Sequence, residues 1–496
     1  MKLKNMLVGL EDLKVKGDLD IELEGLDRNS KNIKEGYLFV AIKGFSADGH
    51  KFINDAIENG AKAILVEEGC DLKSIKNLDN ITIVMAKDTR EALAITSANF
   101  YKNPSKKFKL IGVTGTKGKT TTTFMIKEIL EKAGKKVGLI GTIAIYINGK
   151  KIQDSDRTTP ESIELQQIFA KMVDEDVEVV VMEVSSQSLK LHRVTGCEFD
   201  YVLFTNFSED HISPNEHPDM KDYFESKLKL FKMCKNGIVN TDDLHGAKIP
   251  GLFPENNIVT YGIDNYANVL AKDITITNSY VDFKVKITDR NERVKTGIPG
   301  RFSVYNSLAA ICVAQKFGIS PEVVKEALAQ VRVPGRSELV DNKKEIPIMI
   351  DYAHSPESLE NILQAVKSYT RGKVISVFGC GGDRDSGKRP IMGEISGRIA
   401  DYTFITSDNP RTEDPQKIVE QIEEGIKKTK GNYKVIVDRK EAIKEAIQMA
   451  TKRDIVVLAG KGHEPYQEIN GVKYPFDERI IVREIIEELE DKKKKK

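Results

Sequence analysis

The strongest chemical signal in this sequence is the run Gly112-Val-Thr-Gly115-Thr116-Lys117-Gly118-Lys119-Thr120-Thr121. A strand pattern, Lys109 to Val113, leads into it, and a helical pattern, Lys119 to Ala133, leads out, with Gly134 placed to end the helix. Glycines in that setting let the backbone close on an anion. The helix start adds N–H donors and a positive dipole end. Lys119 is placed to reach the outer phosphates of a nucleotide and Thr120 to bind Mg²⁺ through its hydroxyl. The generic phosphate loop has glycine where this chain has Val113, so the pattern is a variant. The bland alternative is a turn before an ordinary helix.

Other reactive side chains stand at marked positions. Glu183 and His211 each follow an apolar run, at the strand edge where open parallel sheets bind ligands. Helical spacing puts Lys227 between Tyr223 and Phe231 on one face. Its ordinary role there is a lysine whose stem covers aromatics. In Asp408-Asn409-Pro410-Arg411-Thr-Glu413-Asp414-Pro415, Asp414 and Pro415 read as a helix cap and first helical residue. Arg411 is thereby held on a short loop. A guanidinium there could grip a carboxylate with two parallel bonds, or simply sit beside Glu413 and Asp414.

These residues need elements to position them. In 1–105, strands are predicted at 37–42 and 63–66 and helices at 52–59 and 90–101. Residues 102–107 read as a linker. In 106–335, near-continuous apolar strands at 109–113, 137–140, 177–184 and 201–205 suit a parallel sheet covered on both faces. Residues 260–298 alternate like a small antiparallel insert. Val333-Pro-Gly-Arg336 marks the next boundary. In 336–496, strands at 346–351, 374–378, 402–406, 434–437 and 455–458 alternate with helices, as in a second doubly wound unit. A chain of 496 residues fits three such domains at about 100–200 residues each.

Composition narrows the function. Lys+Arg number 76 and Asp+Glu 75, so the net charge is +1 and a broad nucleic-acid footprint is not expected. The basic run 492–496 reads as a solvated tail. Five scattered cysteines without a CxxC pair suggest reduced thiols. The charged start does not read as a secretory signal, and no apolar run approaches the ~20 residues of a membrane helix. A cytoplasmic monomer without membrane insertion is expected.

The short loop T-G-T-x-G-K-T resembles that of the Mur ligases of peptidoglycan synthesis and of the related folylpolyglutamate synthases. Further motifs extend the likeness over nearly the whole chain. They are Met182-Glu183-Val-Ser185-Ser186, Thr205-Asn206-Phe-Ser-Glu-Asp210-His211, Asn306 in Arg301-Phe-Ser-Val-Tyr-Asn306, and Asp351-Tyr-Ala-His354. Gly379-Cys-Gly-Gly-Asp-Arg384, Asp408-Asn-Pro-Arg411 and Gly460-Lys-Gly-His463-Glu464 complete the set. The resemblance implies an α/β chain of three domains: an N-terminal UDP-binding domain, a central doubly wound P-loop ATPase and a Rossmann-like C-terminal domain. It implies phosphorylation of a carboxylate by ATP and attack of an amine on the acyl phosphate.

Residue roles follow from the same likeness. It implies that Gly115, Thr116, Lys117, Gly118, Lys119, Thr120, Thr121, Asn306, Arg336, Asp351 and His354 bind ATP. Thr120, Glu183, His211 and a carbamylated Lys227 would hold Mg²⁺; Lys119, Glu183, His211 and Lys227 are the expected catalytic set. Ser30, Phe45, Ser46, Ala47, Thr158, Thr159, Ser185 and Arg193 would bind UDP-MurNAc-L-Ala-D-Glu. Arg384, Asp408, Asn409, Pro410, Arg411, Gly460 and Glu464 would bind the incoming amino acid. In this family the Arg form of the 408–411 motif marks meso-diaminopimelate.

This chain departs from the usual pattern at Asn29, Lys31, Lys117 and Leu191, and its segment after His211 is longer. L-lysine or another diamino acid, a folylpolyglutamate-type substrate and a non-catalytic nucleotide-binding role are the competing readings.

Overall fold

The computed structural model describes residues 1–494 except 46, 210, 211, 214, 215, 288 and 289. Contacts divide the chain into two compact units, 1–270 with 309–319, and 271–308 with 320–496.

The first unit holds two sheets. One has five strands in the order Lys14–Lys16, Thr82–Ala86, Ala61–Glu67, Tyr37–Val40, Gly25–Asp27, parallel except for the first. Leu38 to Val40 and Ala63 to Val66 are fully buried, as unbroken apolar strands covered on both faces must be. The helix Thr89–Phe100 starts at Asp88, whose carboxylate accepts from the N–H groups of Arg90 and Glu91.

The other sheet carries the phosphate loop. Five strands run parallel beside Asn257–Gly262 in the order Val137–Ile140, Val179–Glu183, Lys109–Thr114, Tyr201–Phe204, Asn236–Asn240. An antiparallel hairpin, Ala144–Ile147 and Lys150–Asp154, extends the Val137–Ile140 edge. It was not legible in the sequence, because its outer strand is wholly exposed and carries a single apolar residue, Ile152. The predicted linker is not loose. Pro104–Lys106 forms a 3₁₀ turn with Pro104 and Ser105 buried, and Ser105 Oγ accepts from the Glu198 N–H at 3.2 Å.

The second unit begins with an antiparallel ribbon, Val281–Ile287 paired with Arg290–Thr296 and with the strand that runs to Ile276. The predicted insert at 260–298 therefore starts late. Asn257–Gly262 belongs to the parallel sheet of the first unit. The main sheet of the second unit runs Glu338–Leu339, Ile348–Asp351, Ile455–Ala459, Val374–Phe378, Tyr402–Ile405, Tyr433–Val435, parallel except for the first. Separate apolar clusters cover its two faces, one around Leu359, Met392 and Ile422, the other around Ile443, Val482 and Ile485. Of the expected C-terminal tail, 492–494 end the helix Glu478–Lys494, whose apolar stripe Val482 and Ile485 anchor, and 495–496 lie outside the described residues. Among the described residues no helix is long and apolar enough to cross a membrane.

Candidate active site

The strand Lys109–Thr114 ends in the loop, and the helix Lys119–Lys132 starts directly after it. Gly118 caps the helix at φ 84°, and Gly115 sits at φ 142°. A Cβ on Gly115 would lie 2.0 Å from Thr205 Oγ1, so only glycine fits there. The loop is braced by the neighbouring strand end. Thr116 N–H donates to Asn206 O at 2.9 Å, Lys117 N–H to Asn206 Oδ1 at 2.8 Å, and Thr205 Oγ1 to Lys117 O at 2.6 Å. Lys117 thus contributes backbone contacts independent of its side chain. Lys119 Nζ lies over the loop, donating to Gly115 O at 2.9 Å and Thr116 O at 3.0 Å.

Glu183 is the hub of the site. It is 1% exposed and accepts from Thr120 Oγ1 at 3.0 Å, from Thr142 N–H at 2.8 Å and from Thr142 Oγ1 at 3.1 Å. Its partners are hydroxyls and an amide, with no cation bonded to it among these contacts. A buried carboxylate beside a hydroxyl is a hard oxygen pair that suits Mg²⁺. Lys227 is equally buried, at 1% exposure. Its Nζ donates to Gly115 O at 3.0 Å and lies 4.4 Å from the centroid of the Tyr223 ring. It is therefore not a surface lysine. Tyr223, Lys227 and Phe231 share the buried face of the helix Met220–Lys232, as their spacing predicted. His211 lies outside the described residues.

A cleft opens between these groups, and Lys119, Arg157, Thr158, Ser185, Arg193 and Lys227 line it. Thr159 Oγ1 donates to Glu183 O at 3.0 Å and accepts from Ser185 N–H at 3.1 Å. Thr158 Oγ1 is 3.0 Å from Thr142 Oγ1. Arg193 is 8% exposed and pairs with Glu161 at 2.8 Å. Glu161 also pairs with Arg157 and lies 4.0 Å from Arg28. Sequence reading missed Glu161, although it lies two residues beyond Thr159.

Nearer the N-terminus, Ser30 is buried and its carbonyl accepts from Asn59 Nδ2 at 2.9 Å. Asn29 caps the turn, accepting from Lys31 N–H at 3.1 Å. Phe45 is 66% exposed, and Ala47 O closes its loop by accepting from Gly44 N–H at 2.9 Å. Ser46 lies outside the described residues.

In the second unit, Arg336 stacks on Tyr352, its guanidinium carbon 4.8 Å from the ring centroid. Asp351 accepts from Ser337 N–H at 2.7 Å, and His354 Nδ1 is 2.7 Å from Tyr352 O. Asn306 is buried in the helix Arg301–Lys316.

The Asp408–Arg411 loop follows the strand Tyr402–Ile405 and is braced from two directions. Asn409 Nδ2 donates to Glu464 at 2.7 Å, while Asn409 Oδ1 accepts from Lys461 Nζ at 3.0 Å and Glu468 N–H at 2.9 Å. Lys461 is fully buried, and burial lowers its pKa. Burial pushes the Glu464 carboxyl up. Asp408 Oδ2 is buried without a hydrogen-bond partner among the described residues, and a Cβ on Gly460 would lie 2.4 Å from it. Arg411 adopts φ 52°; its Nη1 donates to Gly382 O at 2.7 Å and its Nε lies 3.4 Å from Glu468. Arg384 is brought alongside: a Cβ on Gly381 would meet Arg411 Nη1 at 3.0 Å and Arg384 Cγ at 3.8 Å. Pro410 O packs on Gly382, where an added Cβ would lie 1.9 Å away. Glu413 is not the partner of Arg411; it binds Arg389 at 2.8 Å.

Three family models match along the chain. They are the Mur ligase family catalytic domain at 22–101, the Mur ligase middle domain at 113–314, and the Mur ligase glutamate ligase domain at 335–462. A protein of Caldanaerobacter subterraneus subsp. tengcongensis is 48% identical over 491 residues, covering 99% of this chain and 100% of that protein. It is named UDP-N-acetylmuramoyl-L-alanyl-D-glutamate--2,6-diaminopimelate ligase. The chain belongs to the Mur ligase family. A Clostridium botulinum Mur ligase of the same name is 46% identical over 94% of this chain and 96% of its own length. A solved Mur ligase structure, also of that name, aligns with a TM-score of 0.72 at 28% identity over 99% of both chains.

Within this Mur ligase chain, sequence reading also missed Glu468 and the His217–Asp222 pair, and gave no role to Ser186 within its motif. Glu468 lies on the hairpin Tyr466–Ile469 and Val472–Pro475, which carries no motif. His217 lies six residues beyond His211, where only its residue type could have drawn notice.

Proposed function

We propose that this chain is an ATP-dependent ligase that joins meso-2,6-diaminopimelate to the D-glutamate of UDP-MurNAc-L-Ala-D-Glu, releasing ADP and phosphate. The observation that carries the amino-acid choice is Arg411, held on a braced loop beside Arg384 with the buried Asp408 nearby. Diaminopimelate ends in a carboxylate that a guanidinium can bind. Lysine ends in an ammonium that two arginines would repel. Asp408 and Glu464 supply negative partners for an amino group.

A carboxylate is a poor electrophile, and phosphorylation gives it a leaving group. Lys119 and the loop N–H groups would hold the phosphates in line. Arg193 and Ser185 would hold the acceptor in the cleft, with Ser30, Phe45 and Ala47 serving its uridine end. Asn306, Arg336, Asp351 and His354 would serve the nucleotide. Thr120 and Glu183 fit Mg²⁺ by their chemistry; His211 and a carbamylated Lys227 would join them. Bound there, the ion would offset repulsion between the carboxylate and the γ-phosphate. We place the domain limits at 1–105, 106–335 and 336–496.

The test is phosphate release by purified protein given ATP, UDP-MurNAc-L-Ala-D-Glu and one amino acid at a time. Release with diaminopimelate at a kcat/KM about 10²-fold above lysine is expected. Equal use of lysine would remove Arg411 as selector. Release only with a folate acceptor, or none with any acceptor, would reject the reading.

A further inference from the structure

Ser186 and His217 line the same cleft as Lys119 and Arg193, and neither has a role above. His217 is fully buried. Its Nδ1 lies 2.6 Å from Asp222 Oδ2 and its Nε2 lies 2.9 Å from Ser186 Oγ. Asp222 Oδ2 also accepts from Lys190 Nζ at 2.7 Å, and Lys190 Nζ reaches Glu216 O at 3.0 Å. We propose that Ser186, His217 and Asp222 form a proton relay that deprotonates the incoming ammonium so that it can attack the acyl phosphate. The inference rests on the ligase reading of the cleft.

Geometry fixes the direction of the relay. The Asp222 carboxylate can only accept, so Nδ1 carries the proton and the Nε2 lone pair faces the serine hydroxyl. The groups around the imidazole are Asp222, Tyr223 and Lys227 from one helix and Ser186 and Lys190 from another. Burial lowers the His217 pKa, Lys190 acts in the same sense, and Asp222 opposes them. In this tautomer Nε2 is the acceptor that faces Ser186 Oγ.

The reaction needs such an acceptor. An ammonium has no lone pair. One of its protons passes to Ser186 Oγ as the hydroxyl proton passes to His217 Nε2, giving an amine and an imidazolium held by Asp222. The amine lone pair then forms the C–N bond. The C–O bond to the phosphoryl group breaks and its electrons leave with phosphate, which takes the second N–H proton. The imidazolium returns its proton to water. Ser186 is the group that touches the substrate; His217 and Asp222 act through it.

Hydroxylamine separates this role from a structural one, because it is uncharged at neutral pH and attacks acyl phosphates without prior deprotonation. Wild type, His217→Gln and Ser186→Ala would be given ATP, UDP-MurNAc-L-Ala-D-Glu and either diaminopimelate or hydroxylamine. Glutamine keeps a donor and an acceptor but cannot take the proton. Amide formation should fall about 10²-fold or more in both variants, within the range for lost general-base catalysis, while hydroxamate formation stays within about threefold of wild type. Equal loss of both products, or full amide formation by either folded variant, would overturn the relay. If wild type forms hydroxamate, the ligase reading stands whatever the variants do. If it forms neither product, that reading falls first.

Discussion

At the phosphate loop, polar contacts come mainly from backbone groups and hydroxyls within a short stretch of chain and the strand ends beside it. Gly115, Thr116 and Lys117 are braced by Thr205 and Asn206, and Glu183 is held by threonines. At Asp408–Arg411, charged side chains from distant segments do the bracing: Lys461 and Glu464 on one side, Glu468 on the other. The first arrangement suits an invariant polyphosphate, because main-chain N–H groups cannot be exchanged by mutation. The second suits a selector, because one substitution can alter the charge that faces the substrate.

The largest expected effect breaks the first region. Lys119→Ala should lower ATP turnover about 10³-fold with the fold intact, the scale for losing a cation on a transferring phosphoryl group. Phosphate release and circular dichroism would check it, and near-normal turnover would reject the assignment. Next comes Lys227→Ala, expected to lower turnover about 10²-fold. If Lys227 acts as a carbamate, short-chain carboxylic acids should restore part of the rate. Loss without any rescue would point to the ammonium itself, bonded to Gly115 O.

The second region should respond in selectivity. A charge pair at 4 Å is worth ~1 kcal/mol in water and ~4 kcal/mol at an effective dielectric of ~20. Arg411→Ala should therefore lower kcat/KM for diaminopimelate by about 10²-fold, with KM for ATP and the UDP-sugar unchanged. A parallel rise in those constants would show that the two regions are not separable in this way.

The smallest effect concerns pH. The hydrogen bond from Arg389 holds the Glu413 carboxyl below its usual range, with the Asp383 N–H adding to this. Its stabilisation is then complete above the unfolded value of 4.5 and lost as pH falls through the lower folded value. Melting temperatures of wild type and Glu413→Gln should differ above pH 4.5 and converge on acidification. A constant difference would assign the effect to packing.

The sequence by itself determined the phosphate loop, its strand and helix, and the Lys227 face, because each is written in contiguous residues or in one helical period. It also pointed to the parallel sheets, whose near-continuous apolar strands suit burial on both faces. Tertiary structure alone decided the partners. The alternative reading set Arg411 beside Glu413 and Asp414, yet Glu413 serves the buried Arg389 and Arg411 faces Glu468 on a hairpin without a motif. Glu161 gathers three arginines, and His217 bridges Ser186 and Asp222. A buried charge must find an opposite charge or a hydrogen bond, but that rule does not say which of the many polar residues will meet it. Chain packing makes that choice.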